Sequence, residues 1–204
     1  MESLKFLAGF CIIAYLIGSI PTGYIIVKLK TGKDIRQVGS GSTGATNVKR
    51  VLGKKWFFIV MLLDAIKGAL PVVLAKMSLK AGLLLDPYGI YAVACAIFVI
   101  IGHSKPVFLN FRGGKSVASG VGTILALSPL AGLAIALIWG VITYVSKYVS
   151  LGSIVALVFS PFIMYFLSAP IAYVLYCAIA AIYIVYLHRE NIKRLLAGNE
   201  NKVR

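Results

Sequence analysis

The segment GSGSTGATNVKR, at residues 39–50, brings together residue types that bind anions. Its glycines allow backbone N–H groups to turn towards a ligand, an arrangement that binds phosphate. Ser40, Thr46 and Asn47 add neutral polar groups. Arg50 adds a planar fork that can bind two oxygens of one anion. The segment therefore favours an anion site, since a flexible basic loop would explain the cations but not the density of glycine and hydroxyl groups.

A second polar segment, GHSKPVFLNFRGGKS at residues 102–116, has two glycines between cations. It is not a P-loop, because Leu109 stands where that pattern needs its first glycine. Lys115 beside a helix that starts near Ser116 would suit a phosphate. An ordinary helix cap with a basic neighbour would give the same pattern. On its own, the segment leaves both interpretations open.

Two shorter polar segments, YVSLGS at 148–153 and HRENIKR at 188–194, are each typical of helix ends. Neither histidine has the aspartate five residues later that one large class of acyltransferases uses, and no GxSxG or zinc-binding pattern is present. Asp64 and Lys67 stand three residues apart in an apolar run and are predicted to pair. Such a pair is either self-neutralising or part of a site.

The composition indicates a membrane protein. Of 204 residues, 60% are hydrophobic, and the 21 lysines and arginines face only 6 acidic residues. A net charge of +15 would also suit nucleic acid, but several apolar runs are long enough to cross a bilayer, which excludes that class. The three cysteines lie within apolar runs and have no partner pattern, so we expect buried thiols.

Charge decides the number of spans. Apolar runs lie near 4–27, 56–78, 88–102, 116–145, 152–167 and 170–187, and the run 116–145 is too long for one helix. Ser128–Pro129 can break it. The split places most cations on one side and leaves only Lys5, Lys76 and Lys80 outside. We therefore predict an all-α polytopic membrane protein with seven transmembrane helices, an external N-terminus, a cytoplasmic C-terminus and one domain over 1–204. All four polar segments would then meet at one face.

Six ordered segments resemble the bacterial acyl-phosphate:glycerol-3-phosphate acyltransferases, small integral-membrane enzymes of phospholipid biosynthesis. They are GSIPTG at 18–23, VGSGSTGATNVKR at 38–50, LDAIKG at 63–68, GHSKPVFLNFRGGKSVA at 102–118, YVSLGSI at 148–154 and HRENIKRLLAG at 188–198. The resemblance implies seven helices in the bacterial inner membrane and a cytoplasmic-side site. It also implies transfer of an acyl group from acyl phosphate to the 1-hydroxyl of glycerol 3-phosphate. The donor would come from a separate soluble enzyme.

The resemblance and the residue chemistry together predict the site, with no cofactor, no metal and no nucleic acid. The expected catalytic residues are Ser40, Arg50, Lys115, His188 and Asn191. The residues expected to bind substrate are Gly39, Gly41, Gly44, Thr46, Asn47, Gly113, Gly114 and Ser153. Arg50 and Lys115 would clamp phosphate, and the glycine-rich backbone at 39–44 would cradle one phosphate.

Overall fold

The structure, a computed structural model, describes residues 2–82, 86 and 88–203, and all of the secondary structure in that part is helical. The α-helices are α1 (Glu2–Ser19), α2 (Thr22–Thr31), α3 (Ala45–Leu52), α4 (Lys54–Lys80), α5 (Ile90–Ser104), α6 (Val117–Leu127), α7 (Pro129–Ser146), α8 (Val149–Phe166), α9 (Ile171–Leu187) and α10 (Arg189–Leu196). Single 3₁₀ turns lie at Ile35–Gln37 and Val107–Leu109. The predicted all-α class is confirmed.

Five stretches of the described chain are helical, long and apolar enough to cross a membrane. They are Lys5–Thr31, Lys54–Lys80, Ile90–Leu109, Pro129–Ser146 and Val149–Phe166. A sixth is added if α9 and α10, which meet at a bend of 63°, are counted together. Helix α6 has 11 residues, fewer than the ~20 that usually span a bilayer. The structure thus supports five or six spans by length, and the seventh predicted span corresponds to this short helix.

The predicted break at Ser128–Pro129 is confirmed, because α6 ends at Leu127 and α7 begins at Pro129. Ser128 caps α7 by accepting a hydrogen bond from the amide of Ala131. The end of α6 is closed by Lys76, whose Nζ donates to the carbonyls of Ala126 (2.8 Å) and Leu127 (3.2 Å). These carbonyls have no partner within their own helix, so the lysine satisfies them where water is scarce.

The first predicted span contains a break that the sequence analysis missed. Pro21 separates α1 from α2 and leaves the carbonyl of Ile20 at the end of α1. Lys67 on α4 donates from Nζ to this carbonyl at 2.7 Å, and it pairs with Asp64 at 2.9 Å. The predicted Asp64–Lys67 pair is therefore confirmed, and it joins α4 to the break in the first span.

Close backbone contact fixes α4 against α6. A Cβ atom added at Gly68 would lie 2.2 Å from the carbonyl oxygen of Ser119, and one at Gly122 would lie 2.0 Å from that of Ala65. Small residues allow such approach between membrane helices. Large apolar side chains such as Leu137 and Ile182 remain exposed on the outer surface, as expected for a lipid-facing bundle.

Candidate functional site

The four polar segments meet around one cavity of about 360 Å³. Its wall includes eight of the predicted site residues, which are Gly44, Thr46, Asn47, Arg50, Lys115, Ser153, His188 and Asn191. Five other predicted residues do not line it, namely Gly39, Ser40, Gly41, Gly113 and Gly114. The expectation that the segments converge is confirmed. Among the predicted glycines, only Gly44 lies on the cavity wall, and Ser40 lies away from it.

Most of the remaining wall is apolar, and its further polar residues include Asp64, His103 and Glu200. Phe57 and Met61 come from α4, Val121 comes from α6, and Ala136 and Trp139 come from α7. A cavity with an apolar wall and a few polar groups at one end is typical of a small-molecule site. This one can receive a molecule with a charged head and an aliphatic tail.

The first polar loop (residues 39–44) is organised by Asn47 in the first turn of α3. The Nδ2 group donates to the carbonyls of Val38 (2.8 Å) and Ser42 (2.9 Å), and Oδ1 accepts from the amide of Ser40 (3.1 Å). A third carbonyl, that of Ile35, lies 3.3 Å from Nδ2. Asn47 is buried, and its polar atoms are used within the loop. This geometry supports a role in holding the loop rather than the predicted direct contact with substrate.

The glycines of the first polar loop supply turns. Gly39 and Gly41 have φ values of +62° and +69°, where side chains are strained. The amide of Gly41 donates to the carbonyl of Val38, and that of Gly44 donates to Ser42 Oγ. These two amides are bonded to neighbouring groups of the same chain segment, and the predicted phosphate cradle of the 39–44 backbone stays a prediction. Ser40 is exposed, and its catalytic role stays a prediction.

The second polar loop (residues 112–116) uses its glycines differently. The amides of Gly113 and Gly114 donate to the carbonyls of Ser104 (3.1 Å) and His103 (3.0 Å), which end α5. A Cβ at Gly113 would lie 2.2 Å from the carbonyl oxygen of His103. The glycines therefore allow the loop to lie against the helix end, and their amides are already bonded instead of facing a ligand.

The second polar loop brings Lys115 into the cavity, where its Nζ donates to Asn191 Oδ1. Burial, followed by the neighbouring cations Arg194 and Arg50, lowers the pKa of Lys115 to about 8 against the opposing effect of Glu200. A partly dehydrated ammonium group in a cationic setting is stabilised by an anionic ligand. Lys115 is therefore a candidate anion-binding residue on geometry and on charge.

Glu200 is a cavity residue that the sequence analysis missed. Its Oε1 accepts from Asn191 Nδ2 (2.6 Å) and Ser150 Oγ (2.9 Å), and its Oε2 accepts from Arg194 Nε (2.7 Å). Burial alone would raise the pKa of Glu200, but the hydrogen bonds from Asn191, Arg194 and Ser150 outweigh it, so the pKa is lowered. The carboxylate fixes Asn191 beside Lys115. The only feature of the sequence that pointed to Glu200 was its acidic side chain within a basic C-terminal segment.

His188 lies at the bend between α9 and α10. Its Nδ1 is 2.8 Å from the carbonyl oxygen of Ile184, which can only accept, so the neutral ring carries its proton on Nδ1. Nε2 is then left with a lone pair. Ser153 donates to the carbonyl of Val149 at 2.8 Å, and its oxygen can still accept a hydrogen bond. Both side chains line the cavity.

The charged groups of the cavity favour an anion. Arg50 lies at the exposed edge, and within the described residues its guanidinium group forms no hydrogen bond or ion pair. Glu200 is bonded to its neighbours. In the part of the chain that the structure describes, no three histidine, cysteine or acidic side chains are grouped to bind a metal ion. The arrangement offers two cations, the neutral imidazole of His188 and hydroxyl groups on the wall of a largely apolar cavity.

Comparison with known proteins gives a consistent result. Residues 8–198 match the family model described as glycerol-3-phosphate acyltransferase. Glycerol-3-phosphate acyltransferase of Rubrobacter xylanophilus is 44% identical over 191 residues, covering 94% of this chain and 92% of that protein. The corresponding protein of Desulforamulus reducens is 45% identical over 190 residues, covering 93% and 92%.

Two solved structures are also similar. One is the crystal structure of PlsY (YgiH), an integral membrane glycerol 3-phosphate acyltransferase, in its glycerol 3-phosphate form, with a TM-score of 0.88 and 38% identity over 97% of this chain and 96% of that one. The lysophosphatidic acid form has a TM-score of 0.84 and 36% identity, covering 97% and 95%. The chain therefore belongs to the glycerol-3-phosphate acyltransferase family of integral membrane proteins.

Proposed function

We propose that this membrane protein transfers a fatty acyl group from acyl phosphate to the 1-hydroxyl of sn-glycerol 3-phosphate. The products are lysophosphatidic acid and inorganic phosphate. The observation that carries the proposal is one cavity whose wall combines Lys115 and Arg50 with apolar side chains of α4, α6 and α7. Family membership supports the acceptor and the acyl transfer, and the cavity's chemistry supports a donor with a phosphate and a long tail.

The proposed reaction is one acyl transfer. The acceptor hydroxyl oxygen attacks the acyl carbonyl carbon, a new ester bond forms, and the bond from that carbon to the phosphate oxygen breaks. The phosphate leaves with the bonding electron pair. Because the donor is already activated, a covalent enzyme intermediate is not required. Arg50 and Lys115 stabilise the negative charge on the phosphate groups as the bond breaks.

The hydroxyl proton needs an acceptor. Our hypothesis is that a substrate phosphate takes it, since the site offers no aspartate–histidine dyad of the usual acyltransferase spacing. The alternative acceptor is Nε2 of His188, which the bond from Nδ1 to Ile184 leaves free in the neutral ring. Replacement of His188 by Gln decides between them: abolished turnover with unchanged binding of glycerol 3-phosphate would favour His188 and count against substrate assistance.

The remaining polar residues orient the substrates in this proposal. Asn191, fixed by Glu200, holds Lys115 and contacts glycerol or phosphate. Thr46 and Ser153 provide hydroxyl groups on the wall. Ser40 adds a donor if the exposed first polar loop moves inward on binding.

We also propose the membrane arrangement. The chain is one domain over 1–204 in the bacterial inner membrane, with seven helices of which α6 is the short one. The N-terminus lies outside, and the C-terminus and the cavity mouth lie on the cytoplasmic side. The concentration of lysine and arginine in the polar segments supports this orientation. A cytoplasmic mouth would give access to a soluble enzyme that supplies acyl phosphate.

The test is an acylation assay with purified protein in lipid. Labelled glycerol 3-phosphate is supplied with palmitoyl phosphate, palmitoyl-CoA or palmitoyl acyl carrier protein in separate reactions. We expect lysophosphatidic acid only with palmitoyl phosphate. Formation of product with the CoA or carrier-protein thioester instead would overturn the assignment of acyl phosphate as the donor. No product from any donor, with protein of normal thermal stability, would overturn the proposed reaction.

A further inference from the structure

His103 is a buried residue of α5 to which the mechanism above gives no part. Its Nδ1 lies 3.1 Å from Ser119 Oγ on α6 and 3.7 Å from Asp64 Oδ1 on α4. The side chain is 6% exposed. Two neighbouring helices therefore hold one edge of the imidazole ring in place.

The opposite edge of the ring lies against the second polar loop. A Cβ atom added at Gly114 would lie 2.1 Å from His103 Nε2, and 2.9 and 3.1 Å from the adjacent ring carbons. The amide of Gly114 also donates to the carbonyl of His103 at 3.0 Å. The next residue in the chain is Lys115, whose ammonium group enters the cavity. The imidazole ring of His103 thus packs directly against Gly114, the residue that precedes Lys115.

Asp64 is held in turn by groups of the first span. Thr22 Oγ1 donates to Asp64 Oδ1, and Lys67 Nζ donates to the carbonyl of Ile20 while pairing with Asp64. These contacts join the break between α1 and α2 to the surroundings of His103. The ring is therefore hydrogen-bonded to α6 and lies beside an aspartate of α4 that the first span holds in place.

We propose that His103 is a positioning residue for acyl transfer. Its ring, hydrogen-bonded to Ser119 and adjacent to Asp64, supports Gly114 and thereby sets the position of the Lys115 ammonium group in the cavity. The inference rests on the proposed role of Lys115 in binding phosphate. Displacement of a catalytic group by about 1 Å can lower a rate by roughly 100-fold, so the support has a measurable effect.

The test depends on whether the imidazole ring of His103 leaves room for a methyl group at position 114. Gly114→Ala places a methyl group against the imidazole, and His103→Ala removes the imidazole, so the double variant His103→Ala/Gly114→Ala has room for the methyl. We measure kcat and KM for glycerol 3-phosphate with saturating palmitoyl phosphate. Gly114→Ala should lower kcat/KM by at least about tenfold, mainly through a higher KM, because the ammonium group is displaced. The double variant should be at least about threefold more active than Gly114→Ala alone, as coupled neighbours are non-additive.

Equal effects of Gly114→Ala with and without the ring would overturn the proposal. So would a loss confined to kcat with KM unchanged, since that pattern indicates fewer folded molecules rather than a misplaced cation. Lys76→Met is the matched control, because it removes another lysine that bonds helix carbonyls but lies away from the cavity. It should leave KM unchanged. If His103→Ala does not accumulate, Ser119→Ala replaces it, since loss of the hydroxyl frees the ring to move from the methyl group.

Failure of the inference and failure of the proposed function give different results. Turnover of palmitoyl phosphate by the unaltered protein tests the function, and Lys115→Met tests the lysine. A normal KM in Lys115→Met would remove the basis of the inference. A raised KM in Lys115→Met together with purely multiplicative effects of His103→Ala and Gly114→Ala would overturn the inference alone.

Discussion

The first polar loop (residues 39–44) and the second polar loop (residues 112–116) have the same sequence character but different structural uses for it. Both are rich in glycine, the first has three hydroxyl residues and the second has one, and each is followed or flanked by a cation. In the first, Gly39 and Gly41 adopt left-handed conformations that turn the chain around Asn47. In the second, Gly113 lies so close to the end of α5 that no side chain would fit at this position.

The difference teaches that glycine density alone does not identify a phosphate cradle. The amides of Ser40 and Gly41 are bonded inside the first loop, and those of Gly113 and Gly114 are bonded to the end of α5. In both regions the glycines shape a rigid support. The side chains of the nearby cations are among the groups that remain for an anion. Arg50 lies on α3, the helix that follows the first loop, and Lys115 belongs to the second loop.

The largest expected effect comes from removing the cation of the first region. Arg50→Ala should lose ~2–4 kcal/mol of transition-state stabilisation, about 30- to 1,000-fold in kcat/KM, because a charge-assisted contact to phosphate disappears. Steady-state kinetics with palmitoyl phosphate measure it. Lys54→Ala is the control, since it removes an exposed cation one helix further on that does not line the cavity. A loss below tenfold for Arg50→Ala would rule out its role.

The next effect comes from removing the support of the first loop. Asn47→Ala leaves the carbonyls of Val38 and Ser42 and the amide of Ser40 without their partner, and because these groups are only partly buried each loss costs less than the ~1–3 kcal/mol of a buried group. We expect activity to fall at least about tenfold as the loop loses its order. Hydrogen exchange should accelerate over residues 38–44. Asn199→Ala, at an exposed asparagine, should change neither, and unchanged exchange in Asn47→Ala would contradict the assignment.

A smaller effect is expected on stability, and it distinguishes a glycine needed for close packing from one that is not. Gly113→Ala should destabilise the protein by about 1–3 kcal/mol, because its methyl group would meet the carbonyl oxygen of His103 at 2.2 Å. Gly44→Ala should stay within about 0.5 kcal/mol, since its φ is −75° and the nearest atom is 3.6 Å away. Denaturant unfolding in detergent measures both. Equal stability of the two variants would show that close approach does not limit the second loop.

The smallest effect is a change in pH dependence. Lys115 is charged below its pKa of about 8 and neutral above it, so kcat/KM for glycerol 3-phosphate should fall as the pH rises through about 8. The substrate phosphate stays dianionic over this range, because its second pKa is about 6. Lys115→Arg keeps its charge, since an arginine pKa exceeds 12, and its residual activity should not show the fall. Identical profiles for the two proteins would contradict a role for the ammonium charge.

Several features of the fold could be predicted because they depend on local chemistry. Proline after serine predicted the break between α6 and α7, and spacing predicted the Asp64–Lys67 pair. The charge distribution predicted that the polar segments meet, and the cavity confirms it. The break at Pro21 was missed, because a proline within an apolar run is compatible with one bent span. Helix α3 was missed because glycine and hydroxyl residues dominate the segment before it.

The use of each site residue was harder to predict, because it depends on partners that are distant in sequence. Asn47 has the chemistry of a ligand-binding residue, yet its contacts are with the preceding loop. Glu200 belongs to no recognised pattern, and its importance appears only when the tail lies beside Asn191 and Ser150. The predictions that Ser40 and the glycines act in catalysis or binding stay predictions, while the structure explains the glycines by backbone conformation and packing.

The central claim is that Arg50 and Lys115 bind substrate phosphate in the cavity, and calorimetric titration with sn-glycerol 3-phosphate tests it most directly. The unaltered protein, Arg50→Gln, Lys115→Met and the control Lys54→Gln are compared in the same lipid. We expect the Kd to rise at least about tenfold in one or both cavity variants, as for loss of a charge-assisted hydrogen bond, and to stay unchanged in Lys54→Gln. Unchanged affinity in both Arg50→Gln and Lys115→Met would contradict the claim.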